Sequence, residues 1–198
     1  IYDGVNQQMR DKPKPIQSLF HAGIRAATRR SRGNPLSFGE SLTLKLADKL
    51  IFKKVRQRFG GRLRLVVSGS AALSKDVAEF IDALGIDVYE GYGLTETAPV
   101  ASVNTPGNRK IGSVGKALPN VRLVIDTQVT GDPKNGEIIV YGDNVMRGYH
   151  NRPQDDAQIF TPDRGLRTGD LGSVAAAGSL LIPGRIQEQY KLENGKRS

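Results

Sequence analysis

The sequence predicts an α/β fold, with part of a βα-layered sheet first and a small sheet or barrel of short strands after it. Two observations carry that expectation. Residues 63–89 read as strand, turn, helix and strand, and from residue 111 onward short apolar runs alternate with clusters of Gly, Pro and Asn. At 198 residues the chain is long enough to bury a core, as one large domain or two small ones.

Taken in order, residues 1–35 read as weakly patterned helix, broken early by Pro13 and Pro15, with a loop at Arg32-Gly33-Asn34-Pro35. His21 here and His150 later are isolated and read as surface or packing histidines. With no cysteine in the chain, neither a disulfide framework nor thiolate chemistry is available, and a zinc site is not expected. A basic amphipathic helix is expected over 41–59, stopped by Gly60-Gly61. Leu44, Ala47, Leu50, Ile51 and Val55 share its apolar face, and Lys45, Lys49, Lys53 and Arg56 share the other.

Leu63, Leu65, Val66 and Val67 then suit a buried strand, closed by Ser68-Gly69-Ser70. In the helix that follows, Val77, Phe80, Ile81 and Leu84 fall at i, i+3, i+4 and i+7, with Ser74 as N-cap and Gly85 as stop. Residues 86–89 supply the next strand. Further on, strands are expected over 121–125, 137–141, 165–174 and 179–182, with a turn cluster over 131–136.

The net charge of +9 invites a nucleic-acid or membrane-surface reading. Much of the excess lies in Arg25, Arg29, Arg30, Arg32 and the helix after Leu42, where a solvated basic face explains it and a surface for anionic lipid is the alternative. No zinc pattern, RNP-like strand or basic zipper accompanies the charge, so nucleic acid is not an expected partner. No apolar run of membrane-spanning length occurs. The start, Ile1-Tyr2-Asp3-Gly4, lacks an initiator Met and a signal-peptide plan, so the chain is expected to be a piece of a longer one, cytoplasmic and at most peripheral to a membrane.

Sheets built from βαβ units bind ligands beyond the carboxyl ends of their strands. Residues 68–72 and 90–96 fall there, which makes those two loops the candidate site. In Tyr89-Glu90-Gly91-Tyr92-Gly93-Leu94-Thr95-Glu96, glycines permit close backbone approach and an aromatic can stack on a base. Thr95 can donate to a phosphate oxygen, and Glu96 is a hard oxygen ligand of the kind that holds phosphate-bound Mg²⁺. The plainer alternative is a surface turn in which Thr95 or Thr97 caps a helix.

Tyr92-Gly93-Leu94-Thr95-Glu96 resembles the Tyr-Gly-x-Thr-Glu signature of the adenylate-forming enzymes, the superfamily of acyl-CoA synthetases, luciferases and peptide-synthetase adenylation domains. Other segments resemble that family in its own order. Ser68-Gly69-Ser70-Ala71-Ala72 is similar to the adenine-side turn, and Gly136-Glu137-Ile138-Ile139-Val140 running to Gly148-Tyr149 to the Gly-Glu-Leu…Gly-Tyr segment. Leu166-Arg167-Thr168-Gly169-Asp170-Leu171 is similar to Tyr-Arg-Thr-Gly-Asp-Leu, and Gly184-Arg185-Ile186-Gln187 to the interdomain hinge. Leu46-Ala47-Asp48-Lys49-Leu50, continuing through residues 58–63, resembles the long-chain acyl-CoA synthetase branch.

The resemblance implies an α/β part over 1–108, a distorted β-barrel subdomain over 109–183 and a hinge segment over 184–198. It implies that Gly69, Ser70, Ala71, Tyr92 and Gly93 lie against adenine and that Asp170 holds the ribose hydroxyls. Thr95 would touch phosphate, Glu96 would hold Mg²⁺, and Arg185 would orient ribose and α-phosphate. Ala98, Val100 and Ala101 become candidate walls of an acyl pocket. The implied reaction is fatty-acid adenylation by ATP followed by thioester formation with coenzyme A.

Two departures stand out. Gln187 replaces the usual Lys or Asp of the hinge, and neither a lysine-bearing phosphate loop nor a lid domain is present, so the chain alone is expected to be inactive. Another adenylate-forming enzyme and a non-catalytic interaction module that kept the nucleotide fold are the alternatives. Unpaired sheet edges make a homodimer a further expectation.

Overall fold

A computed structural model describes residues 2–69, 73–175 and 177–186. The chain divides into two compact units, one of residues 1–67 and 73–88, the other of residues 68–72 and 89–198. Among the described residues the strands form two sheets of four.

The first unit is mainly helical. Helix α1 (Tyr2–Arg10) is followed by α2 (Lys14–Ser31), which starts behind Pro13, a residue that needs no helical N–H partner there. Helix α2 buries Phe20, Gly23, Ala26 and Ala27. A Cβ on Gly23 would overlap Ala47 and crowd Phe52, so the glycine sets how closely α2 and α3 approach. Helix α3 (Phe38–Ala47) begins earlier than expected because Ser37 and Glu40 form a reciprocal capping box.

The expected single helix over 41–59 is interrupted. A π-helical turn (Asp48–Phe52) precedes α4 (Lys53–Gln57). The extra residue in that turn rotates the apolar stripe: Leu44, Ala47, Ile51 and Val55 are buried as expected, but Leu50 is exposed and Phe52 takes an inward position. Arg56 also leaves the solvated face, since its Nη1 donates to Asp48 Oδ1 (2.7 Å) and to the Leu84 carbonyl (2.6 Å).

Strand β1 (Leu65–Ser68) alternates outward and inward, with Leu65 51% and Val67 69% exposed, so it is not the buried strand expected from its composition. Helix α5 (Lys75–Ala83) matches expectation. Ser74 accepts from Val77 N–H, Phe80, Ile81 and Leu84 are buried, and Gly85 adopts φ +83° just past the end. Strand β2 (Asp87–Tyr92) is β1's neighbour in the sheet, and Asp87 N–H donates to the Arg64 carbonyl. It runs three residues beyond the predicted 86–89, so Glu90, Gly91 and Tyr92 are strand residues rather than loop.

In the second unit β2 pairs antiparallel with β3 (Ser102–Val103), which pairs with β4 (Lys116–Ala117). The other sheet is β5 (Val121–Asp126), β6 (Gly136–Gly142), β7 (Leu166–Val174) and β8 (Leu180–Arg185), antiparallel in that order. Among the described residues it is an open sheet, with no β5–β8 pairing to close the expected barrel. Helix α6 (Pro153–Ile159) lies between β6 and β7 in sequence. Ile138, Val140, Leu166, Leu180 and Ala101 form the unit's buried cluster. Ala101 is thus a core residue, which removes it as a wall of an open acyl pocket; a fully buried methyl has no face left for a ligand.

Candidate functional site

Strand β7 carries the residue around which the site is built. Arg167-Thr168-Gly169-Asp170 does not follow a regular ladder: pairing of β6 with β7 shifts between Glu137 and Ile139. Thr168 Oγ1 donates to the Ile138 carbonyl (2.8 Å) and accepts from Asp170 N–H (3.1 Å), while Gly169 takes φ +70°. Arg167 Nη1 reaches Glu137 Oε2 (2.7 Å) and Asp126 Oδ2 (3.2 Å), and Glu137 Oε1 accepts from Gly169 N–H. The hydrogen bond from Glu137 and its charge hold the Arg167 guanidinium above its usual range. Arg167 and Glu137, from two separate matched segments, therefore fix the bulge that presents Asp170.

Asp170 is buried and doubly engaged. Tyr92 Oη, at the end of β2, donates to its Oδ2 (2.8 Å), and Arg185 Nε, at the end of β8, donates to its Oδ1 (2.9 Å). Burial pushes the Tyr92 phenol well above the ordinary tyrosine range, and the Asp170 charge adds to that. The phenol stays protonated and donates. Three residues singled out separately in the sequence thus meet in one hydrogen-bonded group. Gly69 also lies close to this strand: a Cβ on it would be 3.8 Å from the Gly91 carbonyl oxygen. Ser70, Ala71 and Gln187 lie outside the described residues.

The turn after Tyr92 is held by its own chain. A Cβ on Gly93 would overlap the Pro99 carbonyl, so the glycine serves a backbone crossing within the loop rather than an approach to open space. Thr97, fully buried, closes the short helical turn Thr95–Thr97. Its Oγ1 accepts from Leu94 N–H (2.9 Å) and lies within hydrogen-bonding distance of the Leu94 and Pro99 carbonyls. The capping role posed as the alternative belongs to Thr97. Thr95 is left exposed on the turn, with no side-chain hydrogen bond among the described residues.

Glu96 is half-buried, and its Oε1 accepts from Tyr149 Oη at 2.6 Å. That bond, with some burial and the nearby carboxylates, pushes the Tyr149 phenol up to about 12. Oε2 takes part in no hydrogen bond among the described residues. A carboxylate with one oxygen open suits Mg²⁺, which takes one or two protein carboxylates and completes its shell from phosphates and water. No group of three His, Cys, Asp or Glu able to hold a metal occurs among the described residues.

Sequence reasoning missed Asn144, whose Nδ2 donates to the Thr97 and Val100 carbonyls (3.0 Å each) and so ties the loop after Glu96 to the end of β6. It also missed Asn104, buried, which bridges the Glu90 and Ser113 carbonyls. Neither amide sits in a periodic pattern, and their partners are carbonyls that no sequence displays.

Residues 33–150 match the AMP-binding enzyme family, and the chain belongs to that family. Long-chain-fatty-acid–CoA ligase 1 of Cavia porcellus is 38% identical over 154 residues, 75% of this chain and 22% of that protein. Long chain acyl-CoA synthetase 7, peroxisomal, of Arabidopsis thaliana is 32% identical over 204 residues, 99% of this chain and 28% of that protein. Among solved structures, ATP-bound MatB from Rhodopseudomonas palustris is similar at TM-score 0.59 and 37% identity, over 66% of this chain and 27% of that one. O-succinylbenzoate Coenzyme A Synthetase (MenE) from Bacillus subtilis, in complex with ATP and magnesium ion, is similar at TM-score 0.55 and 31% identity, over 63% and 27%. The chain spans between 22% and 28% of the length of these relatives and structures.

Proposed function

We propose that this chain supplies the adenosine- and magnesium-binding part of an ATP-dependent long-chain fatty acid–CoA ligase. The observation that carries the reading is the convergence of Tyr92 and Arg185 on the buried Asp170 carboxylate. The names of the relatives support the substrate class, and the ATP and magnesium in the similar structures support the ligands.

In this reading the Tyr92 ring and the Gly69 backbone flank adenine. Asp170 accepts from the ribose hydroxyls, exchanging at least one of its present donors for them. Arg185, 61% exposed at its side chain, would orient ribose and α-phosphate through its planar donor fork. Thr95 Oγ1 donates to phosphate, and Glu96 Oε2 is the oxygen offered to Mg²⁺, which would neutralise phosphate charge. The fatty acid's carboxylate oxygen bonds to the α-phosphorus as the bond to pyrophosphate breaks. The coenzyme A thiol then gives up its proton to solvent and its sulfur bonds to the acyl carbon as the bond to AMP breaks and AMP leaves. No general base is required in the first step, because the carboxylate arrives ionised.

Binding of ATP to wild type and Tyr92→Ala tests the assignment. Loss of a base-stacking ring should weaken binding by about 1–3 kcal/mol. Equal affinities would contradict it.

A further inference from the structure

We infer that Tyr149 is a positioning residue for Glu96, and that the Gly148-Tyr149 segment exists to brace the magnesium-binding carboxylate. The inference rests on the reading of Glu96 as the Mg²⁺ ligand. Glu96 is gripped at two points by the segment that follows β6. Its carbonyl accepts from Met146 N–H (2.9 Å), and its Oε1 accepts from Tyr149 Oη (2.6 Å). The backbone of Tyr149 is itself anchored, since Asp156 Oδ1 in the first turn of α6 accepts from Tyr149 N–H (2.8 Å).

That anchor explains the glycine. A Cβ on Gly148 would overlap the Asp156 carboxylate, so any other residue there would push Asp156 away from Tyr149 N–H. The chain of dependence runs from the missing side chain at 148, through Asp156 and the backbone of 149, to the phenol and the carboxylate oxygen it holds. With Oε1 fixed, Oε2 is presented in one orientation, and a flexible glutamate loses less freedom on taking up a cation. Tyr149 touches neither nucleotide nor metal in this arrangement; it acts through Glu96.

The test is calorimetric titration of Mg²⁺ into the protein saturated with ATP, for wild type, Tyr149→Phe and Glu96→Gln, with ATP affinity measured separately in EDTA. Tyr149 is 40% exposed and Tyr149→Phe deletes only an oxygen, so the fold should be kept, which an unchanged melting temperature confirms. The expected result is a weakening of Mg²⁺ binding by about three- to tenfold in Tyr149→Phe, the range for losing one hydrogen bond, with metal-free ATP affinity unchanged. Glu96→Gln should weaken it further. If Glu96→Gln weakens Mg²⁺ binding and Tyr149→Phe does not, the brace is overturned while the metal assignment stands. If Glu96→Gln has no effect, or wild type shows no Mg²⁺ binding, the metal assignment fails and the brace with it.

Discussion

The helical first unit and the strand-rich second unit hold their shapes by different means. The first rests on apolar faces: Phe20, Phe52, Leu84, Ile86 and Ala47 are buried, and the ion pairs Arg29–Glu40 and Arg32–Glu79 lie toward the surface, while Arg56–Asp48 is partly buried. The second buries Glu90, Asn104, Glu137 and Asp170 and partners each of them. A buried polar group must be satisfied, and a chain that arranges several of them fixes specific geometry as well as stability. The candidate site residues with described structure all belong to the second unit.

Substitutions should separate the two regions. The largest effect on stability is expected from Phe52→Ala, which empties a core position beside the Phe20 ring (centroids 6.2 Å apart) and should cost about 3–5 kcal/mol by chemical denaturation. Nucleotide affinity of the folded fraction should not change. A change would tie the site to the helical unit and break the comparison.

Next comes Arg167→Ala. It leaves Glu137, 9% exposed at its side chain, without its cation, and should destabilise the protein by about 1.5–3 kcal/mol. Because Glu137 also holds Gly169 N–H, nucleotide binding should fall as well, a double loss that no helical-unit variant should show.

Glu90 sharpens the comparison through pH. Burial holds its carboxyl above the usual range against the opposing Gly112 N–H bond. The folded protein keeps that proton to a higher pH than the unfolded chain. Its contribution is therefore full below the unfolded carboxyl's pKa of about 4.3 and is lost as pH rises through the folded value. Glu90→Gln should flatten that part of the stability–pH curve, as thermal melts at a series of pH values would show; an unchanged slope would mean that Glu90 is not the group responsible.

The smallest effects belong to the basic face. Lys45→Ala and Lys49→Ala, both exposed, should shift stability by no more than about 0.5 kcal/mol and leave nucleotide binding alone. Phe38, Leu42 and Leu46 are exposed near them, and the same substitutions test the lipid-surface alternative. Co-sedimentation with anionic vesicles that both substitutions leave unchanged would remove that alternative.

Local signals were legible in the sequence. Helix α5 was readable because Ser74, the 77-80-81-84 spacing and Gly85 all agree with one another. The strands at 121–125 and 137–141 were readable from β-branched residues between turn clusters. The π-helical turn at Asp48–Phe52 was not, because one extra residue leaves the composition unchanged while shifting every later side chain around the axis. The face of α2 was missed because Gly23, Ala26 and Ala27 pack by being small, which no hydropathy pattern records.

Tyr92, Asp170 and Arg185 were singled out as candidates through resemblance, since each alone reads as an ordinary strand or turn residue. The role of Arg167 was invisible: its partners Glu137 and Asp126 are 30 and 41 residues away.

The central claim is that Asp170 organises an adenylate site in the second unit. It is tested most directly by thermal unfolding of wild type and Asp170→Ala with a non-hydrolysable acyl-adenylate analogue. At about 100 times its dissociation constant, the analogue should add roughly 2.7 kcal/mol to wild type. The expected result is that shift in wild type and its loss in Asp170→Ala. An equal shift in both proteins would place the ligand elsewhere and contradict it.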